Sequence, residues 1–147
     1  MKIGIGSDHA GFDLKDFLKE QLKKEGYEIT DYGTSVKKSV DYPDFAEKLA
    51  TAIEKKEVSQ GILICGTGIG MSIAANKYRG VRAARCCTID DAILARQHNN
   101  ANVLTLGGRI TADELALQIT KTFIETPFLK GRHLKRVNKI KKSDTER

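Results

Sequence analysis

Five short runs of β-forming apolar residues recur along the chain, each followed by a stretch whose apolar residues fall at helical spacing, and this alternation restricts the fold class. The first run, Ile3-Gly-Ile-Gly6, precedes Leu14, Phe17, Leu18 and Leu22 on one helical face. The second, Tyr27-Glu-Ile-Thr30, precedes Phe45, Leu49, Ala52 and Ile53, the stripe of a helix predicted to begin near Asp44. Gly61-Ile-Leu-Ile-Cys65 is apolar throughout, as a strand covered on both faces must be. Val81-Arg-Ala-Ala84 and Val103-Leu-Thr-Leu106 complete the set. Right-handed crossover helices return successive strands to one parallel sheet and cover both its faces. The predicted architecture is therefore single-domain α/β: a doubly wound, Rossmann-like five-stranded parallel sheet, with a C-terminal helix free to pack on a partner subunit.

Nothing divides the 147 residues, a length that suits one compact domain spanning 1–147. Pro43 and Pro127 are predicted to lie in connections, where a missing N–H is tolerated. Residues 141–147 are highly charged and read as a frayed tail.

With 40% hydrophobic and 30% charged residues the chain is too apolar to be disordered. No run approaches the ~20 apolar residues that span a bilayer, and Met1-Lys-Ile-Gly-Ile-Gly lacks the apolar core of a secretory signal, so a cytoplasmic protein without a membrane partner is expected. Three cysteines, an odd number with no Cys-x-x-Cys spacing, imply reduced thiols. The net charge of +6 is concentrated between Lys130 and Lys142 and calls for an anion. With only 6% aromatic residues and no nucleic-acid-binding motif, that anion is expected to be small, not a nucleic acid.

In open parallel sheets ligands bind beyond the carboxyl ends of the strands, so the segments after each strand carry the chemistry. After the first comes Gly6-Ser-Asp-His-Ala-Gly11, where His9 replaces the third glycine of a dinucleotide fingerprint and argues against a nicotinamide cofactor. A polarised helix start with Asp8 and His9 suits a phosphorylated sugar; the plainer reading is a helix capped by Asp8 with His9 exposed. After the third strand comes Cys65-Gly-Thr-Gly-Ile-Gly-Met71, whose glycines let backbone N–H groups converge on developing negative charge. Cys65 then sits where a thiolate is favoured and can act as base or nucleophile, although a buried cysteine is by itself commonly structural.

Cys86 and Cys87 follow the fourth strand without glycines or a helix-starting turn of comparable design and are given no role. His98 is a candidate general acid or base with Asn99 as hydrogen-bond donor, or else an exposed helix end. His9, His98 and His133 lack metal-ligand spacing, so no metal and no cofactor is expected. Arg132 and Arg136, four apart, share a face if Gly131 starts a helix, and two guanidinium groups there suit a phosphate.

Taken together, Ser7-Asp-His-Ala-Gly11, Asp41-Tyr-Pro43, Ile64-Cys-Gly-Thr-Gly-Ile-Gly70 with Ser72-Ile-Ala-Ala-Asn-Lys77, Arg96-Gln-His-Asn99 and Gly131-Arg-His133 closely resemble the type B ribose-5-phosphate isomerases, from residue 1 to about 140. That resemblance implies interconversion of D-ribose 5-phosphate and D-ribulose 5-phosphate through a cis-enediolate, as a step of the pentose phosphate pathway. It also implies a homodimer, or a tetramer of such dimers, with active sites shared between subunits. By the same resemblance Cys65 moves the proton from C2 to C1, and the N–H groups of Gly66, Thr67, Gly68, Ile69 and Gly70 stabilise the enediolate. Thr67 moves the hydroxyl proton, and the partner's His98 opens the furanose with Asn99 nearby. Asp8 and Tyr42 touch the sugar, while His9, Arg109, Arg132 and Arg136 hold the phosphate. The family also contains isomerases of allose and galactose 6-phosphates, which keeps a hexose phosphate as the alternative substrate, with residues 34–40 placed to bias its length. A sugar-phosphate sensor, needing no reactive thiol, is the alternative of a different class.

Overall fold

A computed structural model describes residues 1–145. It contains five strands, β1 (Lys2–Ser7), β2 (Glu28–Asp31), β3 (Gln60–Cys65), β4 (Ala83–Arg85) and β5 (Val103–Gly107), and six α-helices, α1 (Phe12–Lys24), α2 (Tyr42–Glu54), α3 (Ile69–Ala75), α4 (Ile89–Asn99), α5 (Asp113–Glu125) and α6 (Gly131–Thr145). All strand pairs are parallel, in the order β2-β1-β3-β5-β4. The chain winds outward from β1 to β2, then returns across β1 to start the other half at β3, so the direction reverses between β1 and β3.

Alternation along β3 divides the interior in two. Ile62 and Ile64 pack with Ile3, Ile5, Leu18, Leu22, Leu104 and Phe123 under α1, α4 and α5. Leu63 and Cys65 point the other way, among Leu49, Ile53, Met71 and Ala75 under α2 and α3. Each fully buried leucine or isoleucine contributes about 1.5–3 kcal/mol, which is why a strand with two apolar faces is committed to the centre of the sheet. The first two helices of the periodic pattern carry predicted residues inward: Leu14, Leu18 and Leu22 on α1, and Leu49, Ala52 and Ile53 on α2, are buried.

Three details differ from the sequence reading. Pro43 lies in the first turn of α2, not in a connection; the N–H it lacks has no intrahelical acceptor there in any case. The segment after Cys87 does start a helix by design, since Thr88 and Asp91 form a reciprocal capping box, Asp91 N–H to Thr88 Oγ1 at 3.1 Å and Thr88 N–H to Asp91 Oδ2 at 3.2 Å. Helix α6 continues through residues 141–145, where a frayed end is predicted, and Asp144 accepts a hydrogen bond from Gly80 N–H at 2.9 Å. Residues 146 and 147 of that predicted tail lie outside the described residues.

Candidate active site

Strand β3 delivers Cys65 to the carboxyl edge of the sheet beside the β1/β3 reversal, the place where open α/β sheets bind ligands. The thiol is 5% exposed. Gly68, at φ 81°, takes a left-handed turn that a side chain would strain, and this turn directs its N–H back onto Cys65 Sγ at 3.2 Å. Ile69 N–H reaches Thr67 Oγ1 at 3.2 Å. Two of the five predicted backbone donors are thus already engaged by side chains of the loop itself.

The loop is held from several sides. Gly108 N–H donates to Cys65 C=O at 2.8 Å and Arg109 N–H to Gly66 C=O at 3.0 Å. Thr105 Oγ1 donates to Gly68 C=O at 2.9 Å, and Arg85 Nε to Thr67 C=O at 2.8 Å. Reading the sequence missed Thr105 and Arg85. The signal for Thr105 was a hydroxyl within the otherwise apolar run Val103-Leu-Thr-Leu106; Arg85 gave none, because its partner is 18 residues away.

Around this loop the fold gathers four more of the predicted residues. The Tyr42 ring covers Gly70 so closely that a Cβ there would lie 2.7 Å from ring atoms Cε1 and Cζ. The Arg109 guanidinium lies over Gly66, its Nη1 3.2 Å from where a Cβ would stand. Asp8 is buried, its N–H donating to Ile64 C=O at 3.3 Å on β3. Its Oδ1 accepts from Ala10 and Gly11 N–H at 3.0 and 3.1 Å, capping a short 3-10 turn, His9–Gly11, while Oδ2 takes part in neither bond. Capping and ligand contact are therefore compatible for this carboxylate. His9 Nδ1 accepts from Val40 N–H at 3.1 Å, so the ring proton resides on Nε2.

A second group forms at the other end of the sheet. Helix α4 runs antiparallel to the strands it joins and is about 16 Å long, which carries His98 and Asn99 to the amino-terminal edge. There Asn102 C=O accepts from Gly61 N–H at 2.9 Å at the start of β3, whereas Cys65 pairs with Gly107 at its end. The His98 ring stacks on His133 of α6, centroids 4.3 Å apart. Burial, followed by the charges of His98, Arg132 and Arg136, pushes the His133 imidazole below its ordinary value of 6.5. Arg132 and Arg136 thus accompany His98 and not Cys65. Arg96 fixes this end by donating Nε to Thr126 C=O at 3.0 Å and Nη1 to Ala101 C=O.

Cys86 is buried against Ala92 and Leu104, and that burial, with Asp91 and Cys87 nearby, pushes its thiol up to about 12. Among the described residues no group of three or more His, Cys, Asp or Glu side chains is arranged to hold a metal ion, and no helix is long and apolar enough to cross a membrane.

Comparison with known proteins adds identity to this geometry. The family model described as Ribose/Galactose Isomerase matches residues 3–140. Ribose-5-phosphate isomerase B of Escherichia coli K12 is 45% identical over 139 residues, covering 95% of this chain and 93% of that one. Among solved structures, the ribose-5-phosphate isomerase B of Clostridium thermocellum superposes with a TM-score of 0.97 at 51% identity, covering 99% of each chain. The ribose 5-phosphate isomerase of Thermotoga maritima gives 0.94 at 55% identity, covering 96% of this chain and 97% of that one.

Proposed function

The chain belongs to the ribose/galactose isomerase family, and from that membership we propose that it is an aldose-ketose isomerase interconverting D-ribose 5-phosphate and D-ribulose 5-phosphate, with Cys65 as the base. The observation that carries the assignment of the base is the Gly68 N–H aimed at Sγ, a donor on the atom that bears negative charge once the thiol has given up its proton. In the open-chain aldose, the Cys65 thiolate takes the proton from C2. The electron pair moves through C1–C2 onto O1, forming the cis-enediolate. Thr67 carries the hydroxyl proton between O2 and O1, and Cys65 returns its proton to C1, leaving the ketone at C2.

A C–H beside a carbonyl is a poor acid, so stabilisation must meet the charge as it develops. Backbone N–H groups of Gly66 to Gly70 supply it, Gly68 and Ile69 exchanging their present acceptors for the substrate. Asp8 and Tyr42 bind sugar hydroxyls. His9 and Arg109 of one subunit, with the partner's Arg132 and the partner's Arg136, hold the phosphate, a remote handle that orients the reacting carbons.

The active sites are shared between two copies of the chain. Cys65 and His98 stand at opposite edges of one sheet, too far apart to meet within one chain, so furanose opening at Cys65 falls to the partner subunit's His98. Exposed Ile69 and Ile73 on α3 and Leu94 on α4 provide apolar surface for such a contact. Three free cysteines support a cytoplasmic location.

Incubation with ribose 5-phosphate in deuterated water should yield ribulose 5-phosphate carrying solvent deuterium at C1, with a rate indifferent to chelators. Tight binding without turnover would support a sensor instead. Turnover of allose or galactose 6-phosphate exceeding that of ribose 5-phosphate would replace the pentose by a hexose.

A further inference from the structure

Lys15 is 2% exposed although it carries a charge and lies on a helix whose neighbouring buried residues are leucines. Lysine is seldom buried so completely without a partner that needs it. Its Nζ donates to Asp31 Oδ2 and to Thr34 C=O, both at 2.9 Å, and lies 4.9 Å from the Phe12 ring centroid. Lys19 also reaches Asp31 Oδ2 at 2.9 Å. Asp31 is therefore neutralised from outside as well, and the contact peculiar to Lys15 is the grip on Thr34.

Thr34 opens the strap of residues 33–40 that leads from β2 to α2. Its N–H donates to Ser7 C=O at 3.0 Å, and its side chain closes a small turn with Val36. Farther along, Lys37 meets Asp13 at 2.9 Å, an exposed pair of little energetic weight. The strap ends at Val40, whose N–H is the donor to His9 Nδ1 at 3.1 Å. The grip of Lys15 on Thr34 and the bond from Val40 to His9 thus hold the two ends of one short strap, the second at the active-site edge.

We propose that Lys15 is a positioning residue: by pinning the strap at Thr34 it holds Val40 N–H against His9 Nδ1 and so keeps the ring in one tautomer, with Nε2–H as its donor to the substrate phosphate. This rests on the phosphate role of His9 given above. A neutral imidazole free to exchange tautomers presents a lone pair to the anion part of the time, and that arrangement repels it. Fixing the proton on Nε2 before substrate arrives removes this loss from binding while leaving the proton transfers at Cys65 untouched.

The test combines long-range nitrogen–proton NMR of the histidine rings with steady-state kinetics on ribose 5-phosphate, in Lys15→Met and Val40→Pro. Lys15→Met releases the strap; Val40→Pro removes the donor N–H, while fixing φ, in an accessible loop and remains informative if the first variant does not fold. In the unaltered protein His9 should be a single Nε2–H tautomer. In each folded variant a mixed tautomer should appear, with KM raised in inverse proportion to the remaining Nε2–H fraction, about twofold for an equal mixture, and kcat unchanged, as expected when binding and not chemistry is disturbed. An unmixed tautomer with unchanged KM in a folded variant overturns the proposal. In His9→Gln an unchanged KM would overturn the phosphate role instead, while the tautomer spectra of the other variants still decide whether Lys15 positions the ring.

Discussion

The imidazole rings of His98 and His133 lie stacked at 4.3 Å and within 12° of parallel, joining the end of α4 to the start of α6. His133 is buried, and its pKa is lowered from 6.5 first by that burial and then by His98, Arg132 and Arg136. The folded chain therefore resists a proton that the unfolded chain accepts. The resulting stability is complete above about pH 6.5 and is lost as pH falls through the lowered value. Urea midpoints should decline over that range in the unaltered protein and decline less in His133→Asn. Equal slopes would remove His133 from the acid response.

Replacing Cys65 by alanine should lower turnover by about 10²–10⁴-fold, the usual range for loss of a positioned base. Because only a small buried group is deleted, unfolding free energy should change by less than about 2 kcal/mol. A rate within threefold of the original would assign the proton transfer to another group.

If each site draws Cys65 from one chain and His98 from the other, two inactive proteins can restore one another. Cys65→Ala and His98→Asn dimers, mixed and allowed to exchange subunits, should recover about one quarter of the original activity, because half the dimers then contain one intact site of two. Failure to recover activity, despite exchange shown by mass spectrometry, would place both residues in a single chain.

Gly70→Ala should move stability and activity in opposite directions. Alanine favours α3 by up to about 1 kcal/mol over glycine. Its Cβ, however, displaces the Tyr42 ring, which is 38% exposed and free to swing outward, so the fold persists. Catalytic efficiency should fall about tenfold with the melting temperature unchanged or raised. Unaltered kinetics would show that Tyr42 does not need its place over Gly70.

Strands and helices were legible because each needs only local period: Ile62, Leu63 and Ile64 announce a strand buried on both faces, and Leu14, Leu18 and Leu22 a helix stripe. The strand order was not, since nothing in Val81-Arg-Ala-Ala84 says that β5 will insert between it and β3. At the site, Cys65 and its glycines stood out because they are contiguous. Lys15 and His133 did not, because their meaning depends on partners 19 and 35 residues away, Thr34 and His98, and a lysine within a helix reads as solvent-facing until a loop closes over it.

Both margins of the sheet are narrow: β2 offers four residues, including Glu28 and Asp31, and β4 only three. A foreign strand seeking backbone partners finds little length and, at β2, a charged edge where Lys15 and Lys19 pair with Asp31. The protein should therefore resist self-assembly into fibrils when crowded, through the same short terminal strands that leave the long, apolar β3 sealed in the middle.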